Sequence, residues 1–263
     1  MPLNIPGLLV PFQLLFQPRL VLPSLVVKDI RHLDFVALHK AGYRGAVFDK
    51  DNCLTLPHTD VIVPEIQDAW DICRKTFGEG NILIVSNSAG TRMDPGGIQS
   101  ESVTHNTGAP VLRHKSMKPA YSCISAIRGY FSSLRFPIED RELIIVGDRI
   151  FTDVVMANRM RRSSSGLMNM VLTCAYENGG ADGKEKDSSQ NSPDGPLAVW
   201  TTGVWERESM IMRWWEKRLV DVVRRWMHAT DGPSRFIQEP FEVGHTKRGL
   251  VAELLTSLSR RKN

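Results

Sequence analysis

Apolar positions along this chain fall into two patterns. Ala46-Val47-Phe48, Ile82-Leu83-Ile84-Val85, Leu143-Ile144-Ile145-Val146 and the segment Met170–Cys174 are short, largely apolar runs bounded by polar residues or glycine. Each predicts a buried strand, and Val111-Leu112 predicts a shorter one. Between them the apolar residues are spaced for one side of a helix. Residues 27–41 carry Val27, Ile30, Leu33, Val36 and Ala37, with Gly42 as the glycine stop. Residues 64–77 carry Ile66, Ala69, Trp70, Cys73 and Phe77 behind Pro64, and Ala120, Cys123, Ile124, Ile127 and Phe131 follow Pro119. A short helix is predicted from Asp153 to Met160, and residues 91–107 read as polar and irregular around Asp94-Pro95-Gly96-Gly97. Strand alternating with helix predicts an α/β fold with a parallel sheet and right-handed crossovers.

The two ends of the chain differ from this middle. Residues 1–28 contain no Asp or Glu and are broken by Pro6, Pro11, Pro18 and Pro23. A spanning helix needs about 20 apolar residues without such breaks, so a transmembrane helix is not expected. A secretory signal fits poorly without a positive start, and a mitochondrial presequence lacks its usual Arg and Ser. The reading adopted is a membrane-interface segment, with packing on the domain as the alternative. Residues 177–196 are rich in Gly, Ser, Asp and Lys and predict a flexible loop. Residues 209–228 predict an amphipathic helix with Ile211, Trp215, Leu219, Val222 and Trp226 on one face, docked on the core or lying on a membrane surface. The expected division is a membrane-interface segment at 1–26, an α/β domain at 27–176, a flexible loop at 177–200 and a helical extension at 201–263.

Composition adds limits. A chain of 263 residues with 42% hydrophobic and 24% charged residues suits one globular domain with additions. A net charge of +4 suits acidic substrates or an anionic membrane surface and is too weak to argue for nucleic acid. Cys53, Cys73, Cys123 and Cys174 form no CxxC pair or metal-ligand spacing, so buried thiols in a reducing compartment are expected. Oligomeric state is not legible.

The chemistry sits at predicted strand ends. Ala46-Val47-Phe48 runs into Asp49 and Asp51, and carboxylates this close need a cation or a shared proton. Ordinary turn formers are the bland alternative. Three further pieces follow in order: Ser86-Asn87 after the second strand, Lys118-Pro119, and Gly147-Asp148 after the fourth, with Asp153 beyond it. Ser86 could merely start a turn, Lys118 competes with Lys115, and Asp153 could be only a helix cap.

This ordered set resembles the four motifs of the haloacid dehalogenase (HAD) superfamily of phosphohydrolases. The wording Phe-Asp-Lys-Asp-Asn-Cys-Leu-Thr is similar to that of the mitochondrial phosphatidylglycerophosphate phosphatase family of cardiolipin synthesis, over roughly residues 25–176. The resemblance implies a HAD-like Rossmannoid sheet flanked by helices. Neither Thr55–Asn81 nor Gly90–Lys118 has room for a large cap. It implies Asp49 as nucleophile, Asp51 as general acid and base, and Lys118 as a cation beside nucleophile and phosphate. Ser86 and Asn87 would bind phosphate. Mg²⁺ would be held by Asp49, Asp148 and the main-chain carbonyl of Asp51, with Asp153 acting on the metal or its waters. Cys53 stands where the superfamily carries Thr or Val, and its expected role is packing. The implied substrate is phosphatidylglycerophosphate, met by a peripheral enzyme at the matrix side of the mitochondrial inner membrane. A phosphatase for phosphoproteins or soluble esters, and a non-enzymatic membrane-associated binding module, remain as alternatives.

Overall fold

Strands buried on both faces need apolar residues at every position, not at alternate ones. That is how the sheet of this protein is built. The computed structural model describes residues 13–14, 17–161, 195–206, 210–227 and 233–239. Among them are strands β1 (Leu25–Val27), β2 (Gly45–Phe48), β3 (Ile82–Ile84), β4 (Leu143–Gly147) and β5 (Leu197–Thr201). They pair in the order β1-β5-β4-β2-β3, and every pairing is parallel.

Alternate residues of these strands feed two cores on opposite faces. Ala46, Phe48, Ile82, Ile84, Ile144 and Val146 face helices α1 (Phe35–Lys40), α2 (Gln67–Phe77) and α3 (Ile98–Thr107). Phe48 meets the Trp70 ring edge-on at 5.2 Å, and the Trp70 indole N–H donates to the Thr107 carbonyl at 2.8 Å. Val47, Leu83, Leu143 and Ile145 face the other side. There lie α4 (Tyr121–Ser132), α5, which opens as a π turn at Ile150–Val154 and continues over 155–161, and α6 (Met210–Met227). The α/β architecture predicted from the pattern is therefore present, and neither stretch between the motifs forms a separate domain over the sheet.

Several expectations are corrected. The helix predicted over 27–41 is confined to α1. Val27 ends β1, and the Asp29 and Asp34 carboxylates accept the backbone N–H groups of Arg31 and Ala37, cutting the segment into separate turns. Gly42 does follow the helix, at φ 100°. The irregular stretch 91–107 contains α3. Its start rests on Asp94, whose carboxylate accepts from the N–H groups of Gly90, Gln99 and Ser100, and its buried face is mostly polar, which hid it from an apolar count. Val111 makes a single bridge to Ile84, not a strand. The strand expected at 170–174 lies outside the described residues. The fifth strand seen is Leu197–Thr201, which straddles the end of the expected loop at 177–200 and the start of the expected extension.

The end segments also differ. Leu20 and Val21 in the turn Pro18–Val21, and Leu25 in β1, are buried in the cores, so this part of the expected membrane segment packs on the domain. The Asn158 amide donates to the Leu20 and Leu22 carbonyls at 2.9 Å each and ties the segment to α5. Helix α6 lies within the expected 209–228, and of the two expectations for its apolar stripe, docking on the core is not what is found. It docks through Val220 and Val223, with Glu216 buried beside them, and leaves Ile211, Trp215, Val222 and Trp226 exposed. Cys53, Cys73 and Cys123 are buried free thiols, as expected, and Cys174 lies outside the described residues. Among the described residues no helix is long and apolar enough to cross a membrane.

Glu216 gives this docking a pH signature. Its carboxylate accepts the Phe151 N–H at 3.4 Å at the start of α5, and burial pushes its pKa from 4.5 up to about 7. A raised folded-state pKa means that Glu216 favours folding fully below 4.5 and that this contribution is lost as pH rises through about 7. Glu216→Gln should therefore match the wild type near pH ~4 and exceed its stability near pH ~8, by up to about 3 kcal/mol at 1.36 kcal/mol per unit. Urea unfolding at the two pH values measures this; equal stability of the two proteins at high pH contradicts it.

Candidate active site

The sheet order sets β2 between β3 and β4, so the chain leaves β2 towards one side and later returns on the other. In open α/β sheets this reversal makes a crevice at the carboxyl ends of the strands. Asp49 follows β2, Ser86 closes the run begun by β3, and Asp148 follows β4. The Asp49 N–H donates to Val146 O at 2.9 Å, which locks the first of these ends against β4. Trp200 of β5 donates its indole N–H to the Asp148 carbonyl at 3.0 Å and fixes the other.

Lys118 and Asp153 complete the cluster. The Lys118 ammonium lies 2.7 Å from an Asp49 carboxylate oxygen and 2.7 Å from one of Asp153. One carboxylate oxygen each from Asp49, Asp148 and Asp153 lie within 4.8 Å of one another. Asp153 sits inside the opening π turn of α5. Its second oxygen accepts from Thr152 Oγ1 at 3.0 Å and from the Arg149 N–H at 3.3 Å. Gly147 is required here, because a Cβ at that position would collide with the Asp153 carboxylate. Lys118 rather than Lys115 faces the carboxylates; Lys115 is exposed.

The remaining expected residues line the same edge in different ways. Asp51 stands apart from the three-carboxylate cluster. Its carboxylate is a third exposed, lies 2.7 Å from Lys50 Nζ, and accepts from Ser88 Oγ at 3.1 Å. Ser86 is fully buried, and its hydroxyl oxygen accepts the Ser88 N–H at 3.0 Å and lies 2.9 Å from Ser88 Oγ. The Asn87 side-chain oxygen accepts the Lys118 backbone N–H at 2.7 Å, so Asn87 positions Lys118. Cys53 is buried, with its Sγ 3.9 Å from Val146 O. Burial, then the neighbouring carboxylates, push its thiol well above the usual range, so it is no nucleophile.

Three residues of the site were not singled out from the sequence. Lys50 is fully buried between the two Asp residues and also donates to Thr59 O at 2.8 Å, so it holds Asp51 against its own loop. A lysine inside the D-x-D pair was the available signal. Arg213 reaches from α6 to the Asp148 carboxylate, and nothing local in the sequence marks it. His114 is buried with its ring nitrogens 2.9 Å from Ser86 O and 2.6 Å from Ser116 O, joining the Ser86 loop to the segment that carries Lys118.

The electrostatics follow from crowding. Burial pushes the Asp49 pKa well up; Lys118 pulls it down, and Asp153 and Asp148 add to the rise. Asp148 is raised by burial against the pull of Arg213. Lys118 is held charged: burial disfavours its ammonium, but Asp153 and Asp49 outweigh that. Three carboxylates facing two cations leave a site that favours added positive charge. The donor set, all carboxylate oxygen, fits a hard divalent cation such as Mg²⁺. A cavity of about 290 Å³ lined by Arg74, Lys75 and Gly108 lies by Ile82 at the opposite edge, away from these groups.

The family model for mitochondrial PGP phosphatases matches residues 5–170. The mitochondrial phosphatidylglycerophosphatase of Saccharomyces cerevisiae is 39% identical over 158 residues, 60% of this chain and 83% of that protein. The chloroplastic phosphatidylglycerophosphate phosphatase 1 of Chlamydomonas reinhardtii is 41% identical over 141 residues, 53% of this chain and 50% of that protein. The chloroplastic/mitochondrial phosphatidylglycerophosphate phosphatase 1 of Arabidopsis thaliana is 37% identical over 159 residues, 60% of this chain and 44% of that protein. The matched stretch thus spans half or less of the algal and plant proteins. No solved structure matches. With its strand-end carboxylates, its buried lysine and a family match over most of its length, this chain belongs to the mitochondrial PGP phosphatase family of phosphatases.

Proposed function

We propose that this enzyme removes the terminal phosphate of phosphatidylglycerophosphate, giving phosphatidylglycerol, as a peripheral protein at the matrix side of the mitochondrial inner membrane. The observation that carries the chemistry is Asp49 at the end of β2, an interior strand, with Lys118 Nζ at 2.7 Å and two further carboxylates beside it. The substrate rests on the names of the relatives.

Phosphate-monoester hydrolysis needs accelerations up to ~10²¹-fold, and one acid or base supplies only ~10²–10⁴. Several groups must act together. An Asp49 carboxylate oxygen attacks phosphorus, the bond to the lipid glycerol oxygen breaks, and Asp51 gives that oxygen its proton. An aspartyl-phosphate remains. Asp51 then takes a proton from water, the water oxygen attacks phosphorus, and the Asp49–phosphorus bond breaks to release inorganic phosphate. Lys50 and Ser88 aim Asp51 for both steps. Lys118 stays charged throughout and offsets the charge of Asp49 and of the phosphoryl group. Ser86 lends its hydroxyl to the phosphate, and Asn87 acts through Lys118. Asp49, Asp148 and Asp153 would hold Mg²⁺, with the Asp51 carbonyl as the further ligand implied by the resemblance. Bound there, the ion supplies charge for the transferring phosphoryl oxygens.

Two outcomes test this reading. Asp49→Asn keeps the shape and removes the attacking charge, so turnover of phosphatidylglycerophosphate in detergent micelles should fall by about 10⁴-fold or more while circular dichroism is unchanged. A folded Asp49→Asn protein with ordinary turnover removes Asp49 from the mechanism. A panel of peptide and sugar phosphates in the same assay separates the lipid substrate from soluble ones.

Mg²⁺ should raise the melting temperature saturably, and Asp148→Asn or Asp153→Asn should abolish that rise. EDTA should stop turnover and Mg²⁺ restore it, with Ca²⁺ a poor substitute because of its looser coordination. A melting temperature indifferent to Mg²⁺, with full activity after chelation, excludes the metal.

A further inference from the structure

Helix α6 has two faces. The inner one packs Val220 and Val223 into the core, and Arg213 reaches from it to the Asp148 carboxylate. The outer one carries Ile211, Trp215, Val222 and Trp226, which fall on successive turns of one side and are 78%, 61%, 62% and 72% exposed. Exposed apolar stripes of this kind are rare on protein surfaces without a partner. Arg218 and Arg225 border the stripe and are also exposed. The acids of this helix are Glu216, which is buried, and Asp221.

We propose that the outer face of α6 is the surface by which the enzyme docks on an anionic phospholipid bilayer. The inference rests on the phospholipid-phosphatase reading above and names the surface that serves it. Tryptophan suits the boundary between headgroups and acyl chains, having an apolar body and one N–H donor. Apolar residues on one side with arginine at the border are the composition of a helix lying in that boundary, where guanidinium groups meet lipid phosphates. A second copy of the chain fits less well. An antiparallel twofold pairing centred on this stripe would bring the bordering Arg218 of the two copies together near its midpoint. The position also serves the reaction. The helix that would lie on the membrane is the one that touches the metal-site carboxylate, so docking would bring the site to the level of lipid headgroups.

The test uses the full chain and vesicles of phosphatidylcholine with about one-third phosphatidylglycerol. Wild type should sediment with the vesicles, and Trp215→Glu/Trp226→Glu should lose at least tenfold in partitioning. Its phosphate release from vesicle-borne phosphatidylglycerophosphate should fall in parallel, while turnover of p-nitrophenyl phosphate stays within twofold. Arg218→Gln/Arg225→Gln should make residual binding less sensitive to salt. Because a charged variant could disturb folding, quenching gives a second readout. Brominated phosphatidylcholine should quench wild-type tryptophan fluorescence, and Trp215→Phe/Trp226→Phe should bind as wild type but lose most of the quenching. The proposal is overturned if the Glu variant partitions like wild type, if quenching survives the Phe variant, or if light scattering shows only a change of oligomeric state. Vesicle docking through this face by an enzyme inactive on phosphatidylglycerophosphate in micelles upholds the docking surface and removes the substrate reading instead.

Discussion

An ammonium group buried at 2% exposure must be paired, because several kcal/mol of lost hydration cannot otherwise be recovered. Lys118 meets this requirement with Asp49 on one side and Asp153 on the other. Much of the molecule is arranged around that three-way contact. Asp49 must end β2 between β4 and β3, Asp153 must open α5, and Gly147 must stay bare to let Asp153 approach. Asn87 and His114 hold the loops that bring Lys118 in from outside the sheet. Removing Lys118 would leave the buried carboxylates of Asp49 and Asp153 without the cation between them, so the cluster constrains fold and chemistry at once.

What the chain reveals in its sequence follows from how local each signal is. β2, β3 and β4 are unbroken apolar runs because both faces of the sheet are covered, and α2 and α4 show their buried stripes plainly. The strand-end residues are legible for the same reason: a carboxylate directly after a buried run stands out. Elements built from polar capping are less visible. Helix α3 starts on Asp94 and buries Ser100 and Thr107, and the Asp29 and Asp34 carboxylates break the segment before β2 into turns. Neither is an apolar pattern. Contacts made across long separations leave no local trace, and Arg213 against Asp148 is the clearest of them.

Helix α6 shows how a pattern can establish a helix without establishing which face it buries. The stripe Ile211, Trp215, Leu219, Val222, Trp226 is the more hydrophobic side, and a simple rule turns it inward. The structure turns inward the side with two valines, a glutamate and an arginine. The polar groups find partners there: Arg213 on Asp148 and Glu216 on the Phe151 N–H. Polar satisfaction therefore chose the orientation, at the cost of exposed tryptophan. The same contacts bind the helix to the site.

The order β1-β5-β4-β2-β3 has a consequence for how the chain comes together. β5 lies between β1 and β4, and both of those precede it in sequence. Among the described strands, β1 has no neighbour until residue 197 has been made, and β4 then lacks its β5 partner on that edge. The last of the described strands must slot into a gap whose two walls are more than a hundred residues apart. Non-local pairing of this kind is slow, because the closure entropy precedes the contacts that offset it. The stretch matched by the family model ends at residue 170, so it holds every strand-end carboxylate of the site but not the strand that completes the described sheet. During synthesis the chemistry is therefore present before the scaffold is closed, and the exposed edge of β4 is where a waiting chain is most open to pairing with another.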